Sequence, residues 1–227
     1  MGLRHLRLLQ IADSLFPIGA YSFSEGLEAY AQSHSLSKEN LLKLLTTALR
    51  QGKGKGDALA LKLTLEALEK QNLKEVLELD GLLTALKPVK AFRESSIRMG
   101  IRFLKTLQEV YPDPLLSQLL QAITQGKMQG HYAIAYGAGC FILKIHREEA
   151  LQTYLSSWTL SMISAAIRLF ALGQVEGQKL IRDLHPIIWE VVHRVLTGKK
   201  EDLAPFTPAL DIRGMQHEFL YTRLFRS

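Results

Sequence analysis

Residues 147–172 read REEALQTYLSSWTLSMISAAIRLFAL. The spacing of its apolar side chains predicts one long helix that is apolar on more than one side. A helix of that kind must be surrounded by other elements, so this stretch is expected to be central to a helical fold.

Outward from it the helical period recurs. Residues 3–12 predict a short helix. The stretch DSLFPIGAYS at 13–22 predicts a loop, because Pro17 and Gly19 forbid regular helix there. Ser22 or Ser24 is expected to cap the next helix, with Glu25 in its first turn. Ser37, Asn72 and the pair Asp113-Pro114 predict three further helix starts. QGKGKG at 51–56 predicts a break, with Asp57 capping the helix beyond it. Pro88 predicts a first-turn proline for a helix reaching Val110. Residues 131–145 predict a helix rich in small side chains. A last long helix is expected over 177–196, kinked or broken at Pro186. A polar connection follows over 197–211, and 212–227 is charged and aromatic. No segment alternates with a period of two between hairpin turns, and no repeat of fixed period occurs. The expected fold class is therefore all-α. It is a single-domain bundle of about ten helices over 1–227, with an interaction-prone N-terminal segment (1–24) and C-terminal tail (198–227).

Composition narrows the function classes. Apolar residues make up 47% of the chain and charged ones 22%, which supports a packed core and excludes disorder over most of the length. A single cysteine, Cys140, excludes an intrachain disulfide and fits a reducing compartment. The most apolar run, 133–143, is too short for a bilayer, which needs about 20 residues. Residues 1–10 lack a secretory pattern. A cytoplasmic protein with no membrane association is expected. The net charge of +6 is scattered, with Lys53/Lys55 and Lys199/Lys200 the only local groupings. That pattern favours solvated charge or an acidic protein partner over nucleic acid.

Catalytic signals are weak. The GKGKGD run at 52–57 has neither phosphate-loop nor dinucleotide spacing. Glu190 and His193 share a helix face at the spacing of di-iron carboxylate proteins, but those proteins repeat the motif and this chain does not. A helical metal-binding enzyme using Glu190 and His193, and a basic nucleic-acid-binding helical protein, are the alternative readings. Cys140, among small residues, reads as a buried inert thiol. His131 reads as a packed or interface histidine, or as a transient metal ligand. Ala133, Ala135, Gly137, Ala138 and Gly139 permit close backbone approach, either inside the core or across a subunit interface.

Two features stand apart. The 15–21 loop is apolar and aromatic where loops are ordinarily polar. The tail FLYTRLFRS at 219–227 mixes aromatic and arginine residues. Both have the composition of protein interfaces.

At those same places the chain resembles the UreF family. The segment LQIADSLFPIGAYSFSEGLE at 9–28 is similar to that family's N-terminal signature. Arg93-Glu94 with Gly100 resembles a middle block, and GHYAIAYG at 130–137 resembles its His-x-Ala helix. SAAIRL at 164–169, leading to LGQVEGQ at 172–178, resembles its Arg-Leu and Leu-Gly-Gln block. DIRGMQHE at 211–218, followed by RLFRS at 223–227, resembles its C-terminal signature. The five blocks fall in the family's order along nearly the whole chain. Ala20 and Ala171 depart from a frequent glycine and proline.

The resemblance implies a non-enzymatic urease accessory protein, or chaperone, that dimerises. It implies a complex with the accessory protein UreD (also called UreH) and with the GTPase UreG, docking on apo-urease to insert nickel and gating the GTPase step. It implies no resident cofactor, nickel being cargo. Tyr21, Ser24, Glu25 and Glu28 are expected near one partner surface, with Phe16 in the same segment. His217, Glu218, Tyr221, Arg223, Phe225 and Arg226 are expected near another. His131, Ala133 and Gly137 are the expected dimer contacts, His131 also being the candidate for a transient nickel contact.

Overall fold

The computed structural model describes residues 2–33, 37–170 and 172–226. Ala171 and Ser227, both within the blocks quoted above, lie outside them. The described residues contain eleven α-helices and no strand: α1 Leu3–Ala12, α2 Leu27–Ser33, α3 Lys38–Thr47, α4 Leu59–Glu69, α5 Leu73–Leu86, α6 Lys90–Val110, α7 Pro114–Thr124, α8 Tyr132–Ile142, α9 Arg147–Leu169, α10 Gln174–Thr197 and α11 Pro208–Gln216.

Side-chain capping sets three of the starts. The Ser37 hydroxyl accepts from Asn40 N–H at 3.2 Å, Asn72 Oδ1 from Glu75 N–H at 3.2 Å, and Asp113 Oδ1 from Leu115 N–H at 2.8 Å. Each satisfies a donor that the first helical turn leaves free. α9 is central, as its sequence predicts: along its length only Leu160 is exposed. It packs against α10 and also touches α1, α2, α4 and α8. α8 is buried still more completely, from Ala133 through Cys140, and is held between α4 and α6. Its small residues let those helices close in. At the α6–α8 crossing, a Cβ on Gly100 would lie 2.1 Å from the Gly130 carbonyl oxygen. No side chain fits there.

The structure departs from the sequence expectations here. The predicted break at 51–56 is absent. Residues Ala48–Ala58 form a π-helical stretch that carries α3 into α4 without a loop. Asp57 is consequently inside the helix, and it caps nothing. The glycines are packing positions: a Cβ on Gly54 would meet Val191 Cγ1 at 2.7 Å and Leu49 O at 2.8 Å. Tertiary closeness to α10 thus outweighs the loop preference of glycine. Of the kink or break expected at Pro186, the break does not occur, since α10 runs through it. A smaller shift concerns α2, which starts at Leu27, so Glu28 rather than Glu25 lies in its first turn. None of the described helices is long and apolar enough to cross a membrane.

Candidate interaction site

Glu28 is 2% exposed at the start of α2, and its N–H donates to Ser24 Oγ at 3.4 Å. Its carboxylate points away from its own helix and takes three donors from the C-terminal tail. Leu224 N–H reaches Oε1 at 2.6 Å, Phe225 N–H reaches Oε2 at 3.1 Å, and His217 Nε2–H reaches Oε2 at 2.8 Å. A buried carboxylate is costly unless its lone pairs are used, and charge-assisted bonds use them best. Glu28 therefore draws the tail onto the N-terminal segment. Arg226 N–H donates to Ser22 O at 2.9 Å and Gln32 Nε2 to Thr222 O at 3.1 Å.

Arg168, in the last turn of α9, ties the same two segments from the other side. Its guanidinium lies 3.8 Å from the Tyr21 ring centroid and 4.3 Å from that of Phe225. It donates to Tyr21 O and to Ser164 O, both at 3.2 Å. The second of these bonds is the carbonyl capping that a terminal arginine supplies.

The two expected partner surfaces are thus one place. Its inner half is buried: Ser24, Glu28, His217 and Phe225, with Phe16 packed on Phe103 at 5.3 Å between ring centroids. Its outer half is solvent-facing: Tyr21, Glu218, Tyr221, Arg223 and Arg226, together with Phe219 and Leu224.

A second polar centre lies beneath it. Glu25 and Gly26 take φ of 46° and 85°, a double left-handed turn that aims the Glu25 carboxylate inward. It accepts from Lys53 Nζ at 2.9 Å and Trp158 Nε1 at 3.0 Å. Lys53 also donates to Asp57 at 3.1 Å, and Lys87 pairs with Asp57 at 2.7 Å. Burial opposes the Lys53 ammonium, but Glu25 and Asp57 outweigh it and hold the group above its ordinary value. Burial likewise opposes the Asp57 carboxylate, and Lys87 and Lys53 hold it well below the usual range. The chain of charges joins the N-terminal segment to the π-helical stretch, the end of α5 and α9. It borders a cavity of about 150 Å³ whose walls include Phe92, Tyr132 and Tyr154.

His131, Ala133 and Gly137 are buried, and the close approach they permit is to α4 and α6 of the same chain. The Thr84 hydroxyl donates to Asp80 O at 3.1 Å, so His131 Nε2 carries the proton that it gives to Thr84 Oγ1 at 3.0 Å. His131 Nδ1 then accepts from Ser96 Oγ at 3.1 Å. Burial lowers this imidazole to about 4, with Asp80 opposing. The ring is neutral with both nitrogens occupied, so a nickel contact there requires Thr84 or Ser96 to give one up. Asp80 itself accepts from the N–H groups of Gln129, Gly130 and His131 at 2.5, 3.1 and 2.8 Å, fixing the entry to α8.

The remaining candidates have plain surroundings. Arg50 Nε donates to both carboxylate oxygens of Glu190 at 3.1 Å, and His193 Nδ1 donates to Trp189 O at 2.9 Å. Among the described residues no group of three or more His, Cys, Asp or Glu is placed to hold a metal ion. Cys140 is fully buried, and burial pushes its thiol well up. Sequence reasoning missed Arg168 as the joint between Tyr21 and Phe225, and Lys53 and Trp158 as partners of Glu25. Nothing local in the sequence signals those contacts.

Fold and site define an all-helical bundle in which a buried carboxylate, Glu28, fastens the N-terminal segment to the C-terminal tail. The UreF family model matches residues 36–185. The curated proteins named "Urease accessory protein UreF" from a Bacillus species, a Picosynechococcus species and Lachnoclostridium phytofermentans are 34%, 35% and 33% identical to the chain. The matches cover 99%, 99% and 98% of this chain and 99%, 100% and 98% of those proteins. The chain belongs to the UreF family, whose name is that of an accessory protein and not of an enzyme.

Proposed function

We propose that this protein is a scaffold for urease maturation. It binds a UreD/UreH partner, joins it to the GTPase UreG, and docks the assembly on apo-urease in the cytoplasm. Nickel passes as cargo, the scaffold keeps no cofactor, and it gates the GTPase step as a homodimer. The observation that carries this reading is the joined site at α2, α9 and the tail. Glu28 and Arg168 fix the backbone there, and Tyr21, Tyr221, Arg223 and Arg226 face solvent from it. Exposed Tyr and Arg on a fixed backbone are the side chains that contribute most at protein interfaces.

Deleting the gene in a urease-producing host and restoring it on a plasmid tests the proposal. Urease protein is expected to accumulate without nickel in the deletion strain and to regain metal and activity on restoration. Normal nickel content without the gene overturns it.

A further inference from the structure

A groove of about 340 Å³ separates the first turns of α6 from the tail. Lys90 and Arg98 line it from α6, and Arg223 and Arg226 from the tail. Two carboxylates, Glu94 and Glu218, also face it. Glu94 is already engaged, by Arg98 at 2.7 Å and Lys90 at 3.9 Å. Arg223 and Arg226 have no ion-pair partner among the described residues, and both are exposed. Their backbone is held all the same: Glu28 grips the two amides between them and Ser22 O grips that of Arg226. Two exposed arginines thus project from a strap whose backbone is held in place.

We propose that this groove binds an acidic peptide segment of a partner protein. The inference rests on the scaffold reading and names the chemistry of one contact within it. Guanidinium matches carboxylate in a planar two-bond fit, and a pre-ordered backbone spares most of the ordering cost on binding. Phe23, also lining the groove, offers an apolar contact for side chains between the acidic ones. Nucleic acid suits the groove less well. Its regularly spaced phosphates are best met by a longer run of cations, and Glu94 and Glu218 interrupt this one.

The probe is a fluorescein-labelled poly-glutamate peptide, titrated with the full chain by fluorescence anisotropy. The unmodified protein is expected to bind it, more weakly as salt rises. Arg223→Glu with Arg226→Glu is expected to weaken binding at least tenfold, as is the milder Arg223→Ala with Arg226→Ala pair, which preserves the tail if the charge reversals loosen it. Lys74→Glu with Lys127→Glu lowers the net charge equally outside the groove and is expected to bind as the unmodified protein does. Equal losses in the groove and control variants overturn the proposal, because net charge alone then accounts for the affinity. No binding by the unmodified chain also overturns it, as does a single-stranded oligonucleotide that binds as tightly and depends on the same arginines. None of these measurements uses urease, so the groove can fail while the maturation test stands, and the reverse.

Discussion

At the scale of single residues, His131 shows how a buried polar group is made tolerable. Thr84 accepts from one ring nitrogen and Ser96 donates to the other, and the neutral ring is fully satisfied. A second proton would make Nδ1 a donor facing a hydroxyl already arranged to donate. Stability should therefore depend on pH with a definite sign. The folded-state value near 4 lies below the unfolded value near 6.5, so the unfolded chain binds the proton first. The histidine's contribution is complete above about pH 6.5 and is lost as pH falls toward 4, by roughly 2–3 kcal/mol. Urea unfolding of the protein and of His131→Gln across that range is the check. The variant should be less stable at pH 7 and should show a flatter profile between pH 6.5 and 4. Parallel profiles would remove His131 as the source.

At the scale of elements, the π-helical stretch Ala48–Ala58 turns a glycine-rich run into a packing surface. In a flexible loop, Gly54→Ala would be neutral or would stabilise by about 0.4–1 kcal/mol through the unfolded chain. Here the added methyl meets Val191 and the Leu49 carbonyl, so a loss of about 1–3 kcal/mol is expected. Thermal denaturation of this one variant separates the two descriptions. The contrast explains which parts of the fold were legible in the sequence. Ser37, Asn72 and Asp113 cap helices through atoms two or three residues away, so their role is local and readable. The fate of 51–56 depends on α10, more than a hundred positions later, and no window of sequence contains both. The site divides the same way. Tyr21, Glu28, His217 and Phe225 could be picked out by composition and family resemblance, but the contact between Glu28 and the tail spans 189 to 197 positions and has no periodicity to reveal it. Reading the two segments as separate surfaces followed from that.

At the scale of the whole molecule, the tail completes the bundle. Phe225 is buried in the common core, and Arg168 lies between it and Tyr21. Glu28→Ala leaves Leu224 N–H, Phe225 N–H and His217 without their acceptor. A stability loss of about 2–3 kcal/mol is expected, given the cost of unpaired buried donors. The loss should be local in form: helicity by circular dichroism stays near that of the parent, while trypsin cuts sooner at Arg223 and Arg226. Unchanged trypsin resistance would show that Arg168 and the apolar contacts hold the tail without Glu28.

The same carboxylate has a history within each molecule. A ribosome adds roughly 5–20 residues per second. Glu28 is therefore made on the order of ten seconds or more before His217, Leu224 and Phe225 exist to meet it. Through that interval the Glu28 carboxylate is without its three donors, and the helices between can assemble around an unfinished edge. The surface proposed here for partners forms only after residues 217–225 have been made. A nascent or prematurely stopped chain can hold most of the bundle yet lack the joined site at α2, α9 and the tail.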